Sequence, residues 1–156
     1  MDAKVIWRGG LGFTGSAESG FQLPLGADPE VGGEGDGFRP MELFLVGLAG
    51  CTAMDVVSIV LKKRQDLKVF EVRVEAARAE EHPRVFTEAA IRYEFTGHEI
   101  GEAAVRRAIE LSATAYCPAQ AMLARIMPIR LTYALFEGDS AEDREEVLEG
   151  SWEPEA

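Results

Sequence analysis

Two residues of this 156-residue chain stand out for their chemistry, Cys51 and Cys117, which lie 66 positions apart. A thiolate is both a nucleophile and a metal ligand, and two thiols that meet in space can cycle between dithiol and disulfide. So wide a spacing leaves any contact between them to the tertiary fold. The N-terminus, Met1-Asp2-Ala3-Lys4-Val5, lacks the basic region and apolar core of a signal peptide, so the chain is expected to be cytoplasmic. Thiols there are held reduced, which disfavours a structural disulfide. A zinc site needs about four ligands, and neither His82 nor His98 stands in a ligand spacing with the cysteines. Two readings remain: a pair of buried small hydrophobes, or a redox pair that works without metal or organic cofactor.

The two cysteines sit in different surroundings. Cys51 lies within a run from Leu43 to Leu61 in which nearly everything is apolar or small, the exceptions being Thr52, Asp55 and Ser58. At about 100° per residue on a helix, Asp55 falls about 40° from Cys51, Ser58 about 20° away in the opposite sense and Gly47 about 40° away. An acid and a hydroxyl therefore share the Cys51 face. An unpaired carboxylate weakens a neighbouring thiol as a nucleophile, so an active Cys51 calls for a partner to Asp55, an arginine being the natural one. The alternative is that Asp55 is a polar anchor for backbone or for a second subunit. Cys117 precedes Pro118, a favoured first helical residue, which makes Cys117 the N-cap of a short helix whose positive end favours a thiolate. Its alternative is a small hydrophobe at a helix start.

The elements that must position these residues can be read along the chain. Val5-Ile6-Trp7, Phe13 and Phe21-Gln22-Leu23, separated by Gly9-Gly10, Gly15 and Gly20, predict a small β-meander, and the glycine-rich stretch 26–37 predicts a mobile loop. A helix is expected over 39–64, with Pro40 first, Glu42 in the opening turn and Lys62-Lys63-Arg64 at the close. With no wide polar face, it is expected to be buried nearly all round. Asp55 at the middle of a membrane span would cost about 2.5–3.5 kcal/mol, so no membrane is expected. Alternating residues over 67–79 and 85–95, with a turn near His82-Pro83, predict a long hairpin, and 99–114 carries apolar residues at helical spacing. A short helix after Pro118 and a last strand over 129–136 follow. Residues 1–137 are read as a single α+β domain with one core, and 138–156 as an acidic tail, helical or frayed. The formal net charge of −11 opposes nucleic acid as a partner.

From Arg39-Pro40-Met41-Glu42 through Gly50-Cys51-Thr52 to Asp55-Val56-Val57, the chain resembles the cysteine helix of the OsmC/Ohr superfamily, the osmotically inducible and organic-hydroperoxide-resistance proteins. Tyr116-Cys117-Pro118 resembles its second cysteine motif, and the order of elements is similar over nearly residues 3–136. The resemblance implies the OsmC-like fold, an intertwined homodimer and an antioxidant, stress-response peroxidase. It also implies a chemistry: Cys51 reduces an organic hydroperoxide and becomes a sulfenic acid, Cys117 resolves it to a disulfide, and an external dithiol regenerates the pair. The family's peroxidase pattern places a glutamate directly after the helix-starting proline, where this chain has Met41, with Glu42 one residue later. Glu42 lies about 180° from Cys51 and Met41 about 80° away, so Glu42 does not simply inherit that role. An arginine follows a glycine pair in the family's first strands, whereas Leu11 follows Gly9-Gly10 here. Arg8 and Arg39 are the candidates to replace it. These departures resemble a divergent branch, for which the alternative function is a non-catalytic or redox-sensing binding protein.

Overall fold

The structure, a computed structural model, describes residues 1–154. The chain divides into two compact units, Met1–Phe44 and Leu45–Ala156. In the first, β1 (Ala3–Gly9), β2 (Gly12–Ala17) and β3 (Gln22–Leu25) form the expected antiparallel meander. The glycine-rich stretch carries a short 3-10 turn at Pro29–Val31 and returns to the sheet, where Phe38 bridges Leu25.

Helix α1 (Pro40–Lys62) opens with Pro40 at its first position, and the Glu42 carboxylate accepts from the Arg39 backbone N–H at 2.9 Å. That is one half of a capping box. At its other end Arg64 takes a left-handed conformation, φ 57°, and the Gln65 N–H reaches back to the Val60 carbonyl. The terminal backbone groups are thereby satisfied in the manner of a left-handed C-cap.

In the second unit a four-stranded sheet has the order β4-β5-β6-β7, from β4 (Asp66–Arg78), β5 (Phe86–His98), β6 (Ile129–Gly138) and β7 (Arg144–Trp152). The first two strands form the long hairpin, while β5 and β6 pair in parallel. A parallel pair needs a crossover. It is supplied by α2 (Glu102–Leu111), a wider π turn over Ser112–Tyr116, and α3 (Pro118–Leu123). The core joins Leu48, Val56 and Val60 of α1, Ile91, Tyr93 and Phe95 of β5, Val105, Ala108 and Ile109 of α2, and Leu131, Tyr133 and Leu135 of β6.

Two expectations are corrected. Helix α1 is not buried all round within one chain: its buried residues are Leu48, Thr52, Val56 and Val60, one in every four, which make a single stripe. Met54 stays 74% exposed, and Phe44, Val46 and Leu61 are exposed as well. By length and composition alone α1 could cross a membrane, but its stripe packs into the core just described. Arg144–Trp152 is neither helical nor frayed, because as β7 it pairs antiparallel with β6, so β6 is not the last strand. Leu148 and Trp152 pack against the core. Gly150 lies where an added Cβ would come within 2.5 Å of the Tyr133 hydroxyl, so glycine permits this close approach. Two acids of β7 are partnered, since Arg92 pairs with Glu146 and Glu149, and the Arg144 guanidinium bonds Glu94 of β5 at 2.7 Å and stacks 3.9 Å over the Phe136 ring.

Candidate functional site

Cys51 is half-buried beside the α1 stripe, and Cys117, 3% exposed, is the N-cap of α3. The fold sets the Cys51 side chain near enough to Cys117 to raise its thiol, and both are free cysteines. The predicted N-cap geometry is present, since the Gln120 backbone N–H donates to Cys117 Sγ at 3.4 Å. The expected consequence is not. Burial pushes the Cys117 thiol up to about 11, the Cys51 side chain raises it further, and the amide contact from Gln120 only partly offsets them. A short helix end does not outweigh removal from water.

Behind the cysteines lies a buried polar cluster. Thr52 Oγ1 lies 2.6 Å from the Tyr93 hydroxyl and 2.9 Å from Ser112 Oγ. The Gln120 side-chain amide donates to Thr52 Oγ1 at 2.8 Å and to the Tyr93 hydroxyl at 3.3 Å. Tyr93 ionisation is pushed up to about 12, chiefly by burial, so its hydroxyl keeps its proton. Among the described residues no buried side-chain nitrogen or oxygen lacks a partner.

Asp55 joins the edge of this cluster, accepting from Ser112 Oγ at 3.2 Å. The arginine expected for it is not its described partner; a hydroxyl is. As the helical angles require, Asp55 and Ser58 share one face, where with Met54, Ile59, Leu111 and Tyr116 they line an open depression of about 560 Å³. Glu42 and Arg39 serve elsewhere. The Arg39 guanidinium donates to Glu42 at 2.6 Å and, through Nε, to Asp28 at 2.6 Å, with a further contact from Nη2 to Asp28. These contacts hold the Asp28 carboxyl below the usual carboxylate range and Arg39 above the usual guanidinium range, and the Arg39 backbone N–H, with the guanidinium second, holds the Glu42 carboxyl low.

The sequence marks Thr52 only as a polar exception in an apolar run, and it gives Tyr93, Ser112 and Gln120 no functional role. One signal was available: Cys117 and Gln120 stand three apart, as do the partners of a capping box. Here the glutamine side chain leaves the helix end and turns to Thr52, while the Cys117 N–H bonds the Ser112 carbonyl at 2.9 Å.

Residues 33–132 match the model of the family described as OsmC-like protein. The chain belongs to the OsmC-like family. Protein YhfA of Escherichia coli (strain K12) is 41% identical over 134 residues, which cover 85% of this chain and 96% of YhfA. A hypothetical protein from Aquifex aeolicus VF5 superimposes with a TM-score of 0.77 at 27% identity, covering 88% of this chain and 96% of its own. An organic hydroperoxide resistance protein OsmC from Legionella pneumophila shares the fold with a TM-score of 0.61 at 24% identity, covering 85% and 94%.

Proposed function

We propose that this OsmC-like protein is a thiol peroxidase that reduces organic hydroperoxides through Cys51 and Cys117. The observation that carries the reading is that two free thiols 66 positions apart are brought close enough for one to act on the other. At neutral pH burial keeps Cys117 protonated, which assigns the attack to Cys51. The Cys51 thiolate attacks one peroxide oxygen: an S–O bond forms, the O–O bond breaks, and the alkoxide leaves as alcohol on taking a proton. Cys117 then attacks the sulfenic sulfur, so that the S–S bond forms and hydroxide departs with the thiol proton as water. An external dithiol returns the disulfide to two thiols by exchange. Asp55, held by Ser112, is the supporting residue of the Cys51 face.

The active unit in this reading is a homodimer. The exposed Val46, Met54 and Leu61 of α1 offer apolar surface that a second copy would cover. Packing of the α1 stripe into the sheet core supports a soluble protein over a membrane span. A second reading, a redox-sensing or non-catalytic binding protein, is favoured by one observation: Arg39, a candidate supporting arginine, is occupied by Asp28 and Glu42.

One equivalent of cumene hydroperoxide should consume both thiols of the reduced protein and yield a Cys51–Cys117 disulfide, seen in unreduced peptides by mass spectrometry. Cys117→Ser should react once and leave a sulfenic acid on Cys51 that dimedone traps, while Cys51→Ser should leave Cys117 unreacted on that timescale. Equal peroxide consumption by Cys51→Ser and wild type would reverse the assignment. A wild type no faster than free cysteine would rule out the peroxidase.

A further inference from the structure

The side chain that α3 buries is unusual for a helix docked on a core. Of its six residues, Gln120 is the buried one, and its neighbours Ala121 and Met122 face outward. A short amphipathic helix ordinarily docks through apolar residues. A glutamine in that place must have its amide satisfied or lose the free energy of its hydration. Its amide is satisfied by Thr52, the residue directly after Cys51, and by Tyr93, while its own backbone N–H contacts Cys117 Sγ. Gln120 thus touches Cys117 on one side and the neighbour of Cys51 on the other. A hydrogen bond, unlike apolar contact, fixes direction as well as distance.

We propose that the Gln120–Thr52 hydrogen bond is a clamp that sets the approach of the two cysteines, making Thr52 and Gln120 positioning residues for disulfide formation. The inference rests on the reading of Cys51 and Cys117 as a redox pair, but it does not depend on the oxidant being a peroxide. Without the clamp, α1 and α3 each stay packed on the core, but α3 is free to shift, and the effective concentration of one thiol at the other falls. A purely structural role for the same bonds would lower stability and leave the thiol–disulfide equilibrium of the folded protein unchanged.

The test measures that equilibrium against glutathione. One glutathione disulfide is reduced to two glutathione thiols as the protein dithiol loses two protons and two electrons to form its S–S bond. Thr52→Val removes the acceptor at nearly constant volume, Gln120→Met removes the donor, and Thr52→Ser keeps the hydroxyl as the conservative control. In protein shown to be folded by circular dichroism, Thr52→Val and Gln120→Met should each lower the equilibrium constant about tenfold or more, with Thr52→Ser within about twofold of wild type. Should Thr52→Val prevent folding, Gln120→Met carries the same comparison. An unchanged constant in a folded clamp variant overturns the clamp and leaves the redox pair standing. Failure of the wild type itself to form the disulfide overturns both, and a normal disulfide with no peroxide reactivity removes the peroxidase alone.

Discussion

Helix α1 takes part in two polar clusters built on opposite principles. At its N-terminus Asp28, Arg39 and Glu42 form an exposed ionic group. At its middle Thr52 joins Tyr93, Ser112 and Gln120 in a buried group without a formal charge. Exposed ions remain solvated, so pairing them changes little and deleting one returns its partners to water. Buried hydroxyls and amides have no such refuge, and deleting one strands the others. The first cluster can fix a helix start; the second can fix geometry beside a reactive group.

The sharpest consequence of burial falls on Cys117. With its thiol pushed up to about 11, its thiolate at neutral pH should be about a hundredfold scarcer than that of an ordinary thiol. The Cβ resonance of 13C-labelled cysteine should show the titration, and a midpoint at or below the ordinary range would show that the helix end governs Cys117 after all. The sign for stability follows. A raised folded value favours the folded thiol, so this contribution is complete below the ordinary thiol range and is lost as pH rises toward 11.

Next in size is Tyr93→Phe, which removes a hydroxyl contacted by both Thr52 and Gln120. Loss of a buried partner costs about 1–3 kcal/mol. Urea unfolding should show a lower midpoint with unchanged slope, and a variant as stable as wild type would mean that the buried cluster behaves like the exposed one.

The sequence disclosed the elements that carry strong periodicity. The meander, the span of α1, the 66–98 hairpin, and the helical residues Val105, Ala108 and Ile109 all lie where alternation or helical spacing places them. The strand β7 was obscured because a run of Glu145, Glu146 and Glu149 dominates its composition, while the partners Arg92 and Glu94-bound Arg144 come from fold contacts. The two cysteines could be named, but not their approach. Thr52, Tyr93, Ser112 and Gln120 are ordinary polar residues until α1, β5, the π turn and α3 converge. Cys117 departs from its expected ionisation because a helix N-cap can be read from Pro118 whereas desolvation cannot.

The comparison extends to activity through the two acids of α1. Asp55 shares the Cys51 face and is tied to Ser112, whereas Glu42 is committed to Arg39 and the helix start. Asp55→Asn should therefore lower peroxide turnover severalfold, with Glu42→Gln near wild type. Turnover by stopped-flow consumption of cumene hydroperoxide decides it, and greater damage from Glu42→Gln would move the exposed cluster into the chemistry.

The smallest effect is expected from Arg39→Ala. Arg39 and its partners are all exposed, and the pairing energy of such ions is largely recovered by water when the pair is broken. The urea midpoint at neutral pH should stay close to wild type, and the residual difference should shrink further in molar salt, where screening acts within a few ångströms. Acid supplies the sign. The Asp28 and Glu42 carboxyls are held below their ordinary range, chiefly by hydrogen bonds from Arg39, so what they add is present above their unfolded values of about 4 and is lost as pH falls through the depressed folded values. Wild type and Arg39→Ala should accordingly converge in strong acid. A large loss of stability at neutral pH that survives molar salt would show instead that Arg39 is held by more than these two carboxylates, and the contrast between the clusters would fail.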